Sequence, residues 1–152
     1  MLNSMKIHLL LDIHEIFMCL LKLNIIIHSA IENQGALKDI IKELGKQASK
    51  LRNSSQLLNI FDELKCRPKI EQKVRWFSQL YVLLWAQRAY KKNAFTENEC
   101  PIRIEVIESY IQILMPAYKL NLGFQSSFLS IADVIPGILR LKFIWEKNVI
   151  FF

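Results

Sequence analysis

The chain has 152 residues, 52% of them hydrophobic and 22% charged, a balance that excludes intrinsic disorder and leaves room for one domain with a real core. That length is short for the full catalytic unit of a large enzyme. The formal net charge of +6 directs attention to anionic partners.

Glycine occurs only at Gly35, Gly45, Gly123 and Gly137, and proline only at Pro68, Pro101, Pro116 and Pro136. Such sparse punctuation predicts long helices: an all-α fold, an irregular bundle of about six helices in a single domain over residues 1–152. The three cysteines, Cys19, Cys66 and Cys100, form no CxxC pair, so neither a disulfide framework nor a zinc site follows, and free thiols suit the cytosol or nucleus.

Residues 1–31 are rich in Leu and Ile but are interrupted by Asp12, His14, Glu15, Lys22 and His28. Each ionised group at a bilayer centre would cost about 2.5 to 3.5 kcal/mol, which argues against a spanning helix and for one or two buried helices. A signal peptide is a poor fit, because no small-residue cleavage site follows the apolar stretch. His8, His14 and His28 lack the HExxH spacing, so no metal site is expected.

Next, Ala36, Leu37, Ile40, Ile41, Leu44, Ala48 and Leu51 form an i, i+3, i+4, i+7 stripe opposite Lys38, Asp39, Lys42, Glu43, Lys46 and Lys50, the pattern of a surface helix. Gly45 inside it costs about 1 kcal/mol relative to Ala. Asn53-Ser54-Ser55 supplies a break and an N-cap for a short helix bearing Leu57, Leu58, Phe61 and Leu64, which Cys66-Arg67-Pro68 ends.

The basic residues then concentrate. Residues 65–92 hold Lys65, Arg67, Lys69, Lys73, Arg75, Arg88, Lys91 and Lys92 against Glu71 alone, a local net charge of +7 that leaves −1 for the rest of the chain. A nucleic acid is the first partner such a block suggests, and a solvated face is the plain alternative. Within it a helix is expected from about residue 73 to 92, at the centre of the bundle. One apolar row is Val74, Phe77, Tyr81 and Leu84, and a second is Trp76, Leu80 and Leu83. Arg75 beside Trp76 at the mouth of a buried helix can hold a phosphate and stack a base. A core Trp with Arg turned to solvent is the other reading.

Thr96 and Glu99 have capping-box spacing, and the next helix starts either there or just before Pro101, which only a first turn tolerates. Ile104, Ile107, Ile111 and Leu114 form the next face, which Pro116 ends or kinks.

The run Val74-Arg75-Trp76-Phe77-Ser78-Gln79-Leu80-Tyr81 resembles the TRWNSTY block of hAT-superfamily transposases, the group that includes domesticated BED-zinc-finger proteins. Arg75, Trp76 and Ser78 match it, and Phe77 stands where the family has Asn. Upstream, Cys19 and Leu23-Asn24 echo a C-x-x-H-x-LNL segment, with Lys22 in place of the His. Downstream, residues 104–116 resemble a WELLEELLEILKP helix with Ile104 for its Trp and Asn121 where an AT usually stands. Residues 127–139 resemble YPTLSLVLPLI with Phe128 for Tyr and Leu129 for Pro. The likeness covers residues 16–141.

That resemblance implies the α-helical insertion of a transposase, a nuclear setting, and DNA as partner through Arg75, Trp76, Ser78, Lys73, Lys69, Arg88, Lys91 and Lys92. It also implies no strand-transfer activity, because the family's metal-binding carboxylates lie outside the matched region and Asp12 is a poor substitute. No Ser/His/Asp set, phosphate loop or Cys/His pair offers other catalysis, and no cofactor or small-molecule substrate is expected. The competing expectation is a helical fragment that binds itself, a related transposase-like chain or another protein through apolar ends at residues 7–11 and 143–152, which loss of flanking domains would uncover; the apolar tail at 143–152 suggests a cut or a splice into a foreign reading frame.

Overall fold

Local helix signals dominate the computed structural model, which describes residues 2–71, 76–94, 100, 102–125 and 131–149, with backbone alone at 2–13, 15–17, 20, 131, 148 and 149. Among the described residues six helices follow one another: α1 Leu2–Asn33, α2 Gly35–Asn53, α3 Ser55–Glu63, α4 Trp76–Lys91, α5 Ile104–Phe124 and α6 Ile131–Val149. Among the described residues there is no strand, as the sparse punctuation predicts. The chain divides into two compact units, one made of Met1–Ile27 with Met115–Phe152, the other of His28–Leu114.

In the unit of residues 28–114, α2 packs on α3 and α4. Its stripe Leu37, Ile41, Leu44, Ala48 and Leu51 is buried, while Ala36 turns outward. Each large side chain so enclosed contributes about 1.5 to 3 kcal/mol of transfer free energy. Ser54 caps α3, its hydroxyl accepting from the Leu57 amide at 3.5 Å, which satisfies one of the orphan donors of the first turn.

Helix α4 is buried on most of its circumference, through Trp76, Leu80, Val82, Leu83, Trp85, Ala86 and Ala89. Of the two apolar rows expected there, the Trp76 row lies inside. Phe77 and Leu84 are half-buried and Tyr81 is 44% exposed; Val74 lies outside the described residues.

Two helices in this unit end alike. After α3, Lys65 adopts a left-handed φ of 52°, with its amide donating to the Asp62 carbonyl and the Cys66 amide to the Phe61 carbonyl, both at 2.9 Å. After α4, Asn93 has φ 51°, and the Asn93 and Ala94 amides donate to Tyr90 and Ala89 at 2.9 Å. Both are Schellman closures, in which a left-handed residue lets two amides turn back onto orphan carbonyls. Asn tolerates that conformation; Lys does so at a cost of about 1 to 2 kcal/mol.

Helix α5 begins at Ile104, beyond Pro101, and the capping pair Thr96 and Glu99 lies outside the described residues. Pro116 does not end it: the helix runs on to Phe124. Ile107, Ile111 and Leu114, in the unit of residues 28–114, are buried. In the other unit Ala117, Asn121 and Phe124 are buried, with Val134 and Leu141 of α6. There a Cβ on Gly137 would stand 2.6 Å from Leu120 Cδ1, so a side chain at that position would displace the end of the Leu120 side chain. Among the described residues no helix is long and apolar enough to cross a membrane.

Candidate nucleic-acid interface

The basic segment folds back on itself. After the left-handed turn at Lys65 the chain runs irregularly through residues 66–71, and it lies against the Tyr81-Leu84-Trp85-Arg88 face of α4, whose members are spaced i, i+3, i+4 and i+7. Between the two lies a cleft of about 340 Å³, walled by Lys65, Cys66, Arg67 and Lys69 on one side and by Tyr81, Leu84, Trp85 and Arg88 on the other. Among the described residues no carboxylate lines it.

The floor is fixed by Trp85. Its indole Nε1 donates to the Cys66 carbonyl at 2.9 Å, and its ring stands 6.3 Å from that of Phe61 at the end of α3. Just outside the cleft the Lys92 ammonium donates to the Leu64 carbonyl, so the cap of α4 holds the cap of α3. Burial pushes the Cys66 thiol up, with Lys92 opposing. A raised thiol is a poor nucleophile at neutral pH.

Four cations therefore face one concavity. Arg67 also makes a loose ion pair with Asp62, 3.7 Å apart and exposed on both sides, an interaction that solvent screens to little. Exposed Lys and Arg around an aromatic-lined cleft supply the two things a nucleic-acid strand binds: charge for phosphates and a flat face for bases.

The residues expected to form the interface are dispersed. Lys69 and Arg88 line the cleft. Lys91 turns to Glu108 of α5 at 3.4 Å, where Gln87 Nε2 also donates to that carboxylate at 2.9 Å. Lys92 is on Leu64. Trp76 is only 2% exposed, its ring 4.4 Å from that of Phe77, and Ser78 is buried. Lys73 and Arg75 lie outside the described residues. Of the cleft's charged and aromatic side chains, Lys65 and Arg67 belong to the basic block but not to the residues singled out within it, and Tyr81 and Trp85 were not expected at the interface. The i, i+4, i+7 spacing of Tyr81, Trp85 and Arg88 was the signal that could have found the aromatic wall.

Elsewhere, the three cysteines are free thiols. Among the described residues no group of three or more His, Cys, Asp or Glu comes together. Comparison of the chain with protein-family models, with curated proteins and with solved structures gives no match.

Proposed function

We propose that this chain is a hAT transposase-like helical segment without strand-transfer chemistry that binds DNA weakly in the nucleus through the basic block at residues 65–92. The observation that carries the reading is the convergence of Lys65, Arg67, Lys69 and Arg88 on one cleft beside Tyr81 and Trp85. A solvated face would scatter these charges, whereas a phosphate-binding surface gathers them. The conformation of Lys65 supports it further: a left-handed position that would favour Gly carries a cation at the cleft wall, the kind of local strain that function retains.

A salt titration of binding to a labelled DNA hairpin tests the proposal. Affinity should fall steeply as salt rises from about 50 to 200 mM, because every neutralised phosphate releases counterions. Absence of binding at about 50 mM would rule it out.

A second reading is favoured by one feature of the unit containing α6. Leu23 and Ile26 of α1 with Ile138, Leu141, Lys142, Trp145 and Glu146 of α6 line a mostly apolar cleft of about 470 Å³, and Ile25, Ile135, Leu139 and Phe143 of the same two helices are exposed. Exposed apolar side chains around such a cleft favour association, and a second copy of the chain is the partner the reading names. Light scattering at micromolar concentration distinguishes the two: a dimer unaffected by salt and by DNA supports self-association, and a monomer removes it.

A further inference from the structure

We infer that the basic cleft holds an unpaired nucleotide of a single strand, with Tyr81 as the ring on which the base stacks. The inference deepens the DNA-binding proposal above and rests on it. Stacking needs an aromatic ring that solvent can reach, and the two rings that line the cleft differ sharply: Trp85 is 3% exposed and tied by its indole N–H to the Cys66 carbonyl, while Tyr81 is 44% exposed; Trp76, 2% exposed, is not part of the cleft wall. A base reaches Tyr81 without disturbing the core.

Size and charge narrow the occupant. A volume of about 340 Å³ lies at the small end of single-ligand pockets, about 300 to 1,000 Å³, and a concavity of that size admits one nucleotide rather than the side of a duplex. Four cations exceed what one phosphate requires. Lys65, Arg67 and Lys69 alternate along an irregular stretch facing Arg88, an arrangement that follows successive phosphates of a backbone. The strand therefore runs along residues 65–69, with one base turned inward onto Tyr81.

Fluorescence anisotropy with a labelled oligothymidylate and with a duplex of equal length, at about 50 mM salt, tests this on the full chain. Tyr81→Ala should weaken oligothymidylate binding about 5- to 160-fold and duplex binding far less. Tyr81→Phe should bind as the parent does, and Tyr81→Leu, which keeps bulk but not the aromatic face, should bind as Tyr81→Ala does. Arg88→Ala should weaken both ligands alike and lower the salt slope by about 1. If both ligands bind but Tyr81→Ala and Tyr81→Leu behave as the parent, the stacking assignment is overturned and the DNA-binding proposal survives. Thymidine monophosphate that displaces the strand at equal concentration would replace the strand with a free nucleotide. If neither ligand binds, both conclusions fall together.

Discussion

The indole of Trp85, in the middle of α4, hydrogen-bonds the backbone carbonyl of Cys66, one residue beyond the left-handed Lys65. That bond anchors the irregular residues 66–69 to a helix, and so sets one wall of the basic cleft at a defined distance from the other. Trp85→Phe keeps the ring packed near Phe61 but leaves the Cys66 carbonyl unpaired in a buried place. It should lower stability by about 1 to 3 kcal/mol in urea unfolding, and weaken oligonucleotide binding by loosening the wall.

Trp76 and Tyr81 should separate stability from binding. Trp76→Ala removes a buried indole and should cost about 3 to 5 kcal/mol. Tyr81→Ala removes a half-exposed ring and should cost no more than about 1 kcal/mol. Denaturant midpoints for the two variants check this. A mild effect of Trp76→Ala, accompanied by a selective loss of binding to distorted or single-stranded DNA, would restore Trp76 to the interface.

Lys65→Gly should move the two properties in opposite directions. Relief of the left-handed strain at φ 52° should stabilise the fold by about 0.5 to 1 kcal/mol once the greater freedom of glycine in the unfolded chain is subtracted. Loss of one cation from the cleft should reduce the slope of binding against salt by about 1. Thermal unfolding read beside a salt titration measures both.

Asn121 is fully buried in α5, and among the described residues neither its Nδ2 nor its Oδ1 has a hydrogen-bond partner. Burying an unpaired amide costs about 1 to 3 kcal/mol, so Asn121→Leu, of similar volume and apolar, should raise stability by that order. A fall in the denaturant midpoint would mean that the amide is satisfied in solution.

Glu108 predicts the acid limb of stability. The hydrogen bond from Gln87 holds its carboxyl below the ordinary value of 4.5, with Lys91 adding to the effect and burial opposing it. Because the folded value is the lower one, the stabilisation is fully present above pH 4.5 and is lost as the pH falls through the depressed value. Glu108→Gln should flatten the decline in thermal stability between neutral pH and the acidic side of 4.5. An unchanged decline would assign it to other carboxylates.

The all-α class, the apolar stripe of α2 and the Ser54 cap were legible in the residues alone, because helix periodicity and capping are decided within a few positions of one another. The rows of α4 were not. Val74-Phe77-Tyr81-Leu84 and Trp76-Leu80-Leu83 are about equally apolar, and which one is enclosed depends on the elements that pack around the helix. Tertiary packing enclosed the Trp76 row, and it left Tyr81 beside the cations. The same holds for Pro116 and Pro136, each a local stop signal, which lie inside helices that continue past them. Charge count marked residues 65–92 as basic. Only the turn at Lys65 and the bond from Trp85 to Cys66 decided which four of those charges share a cleft, since a residue at 65 and one at 88 become neighbours through folding and not through any spacing in the chain.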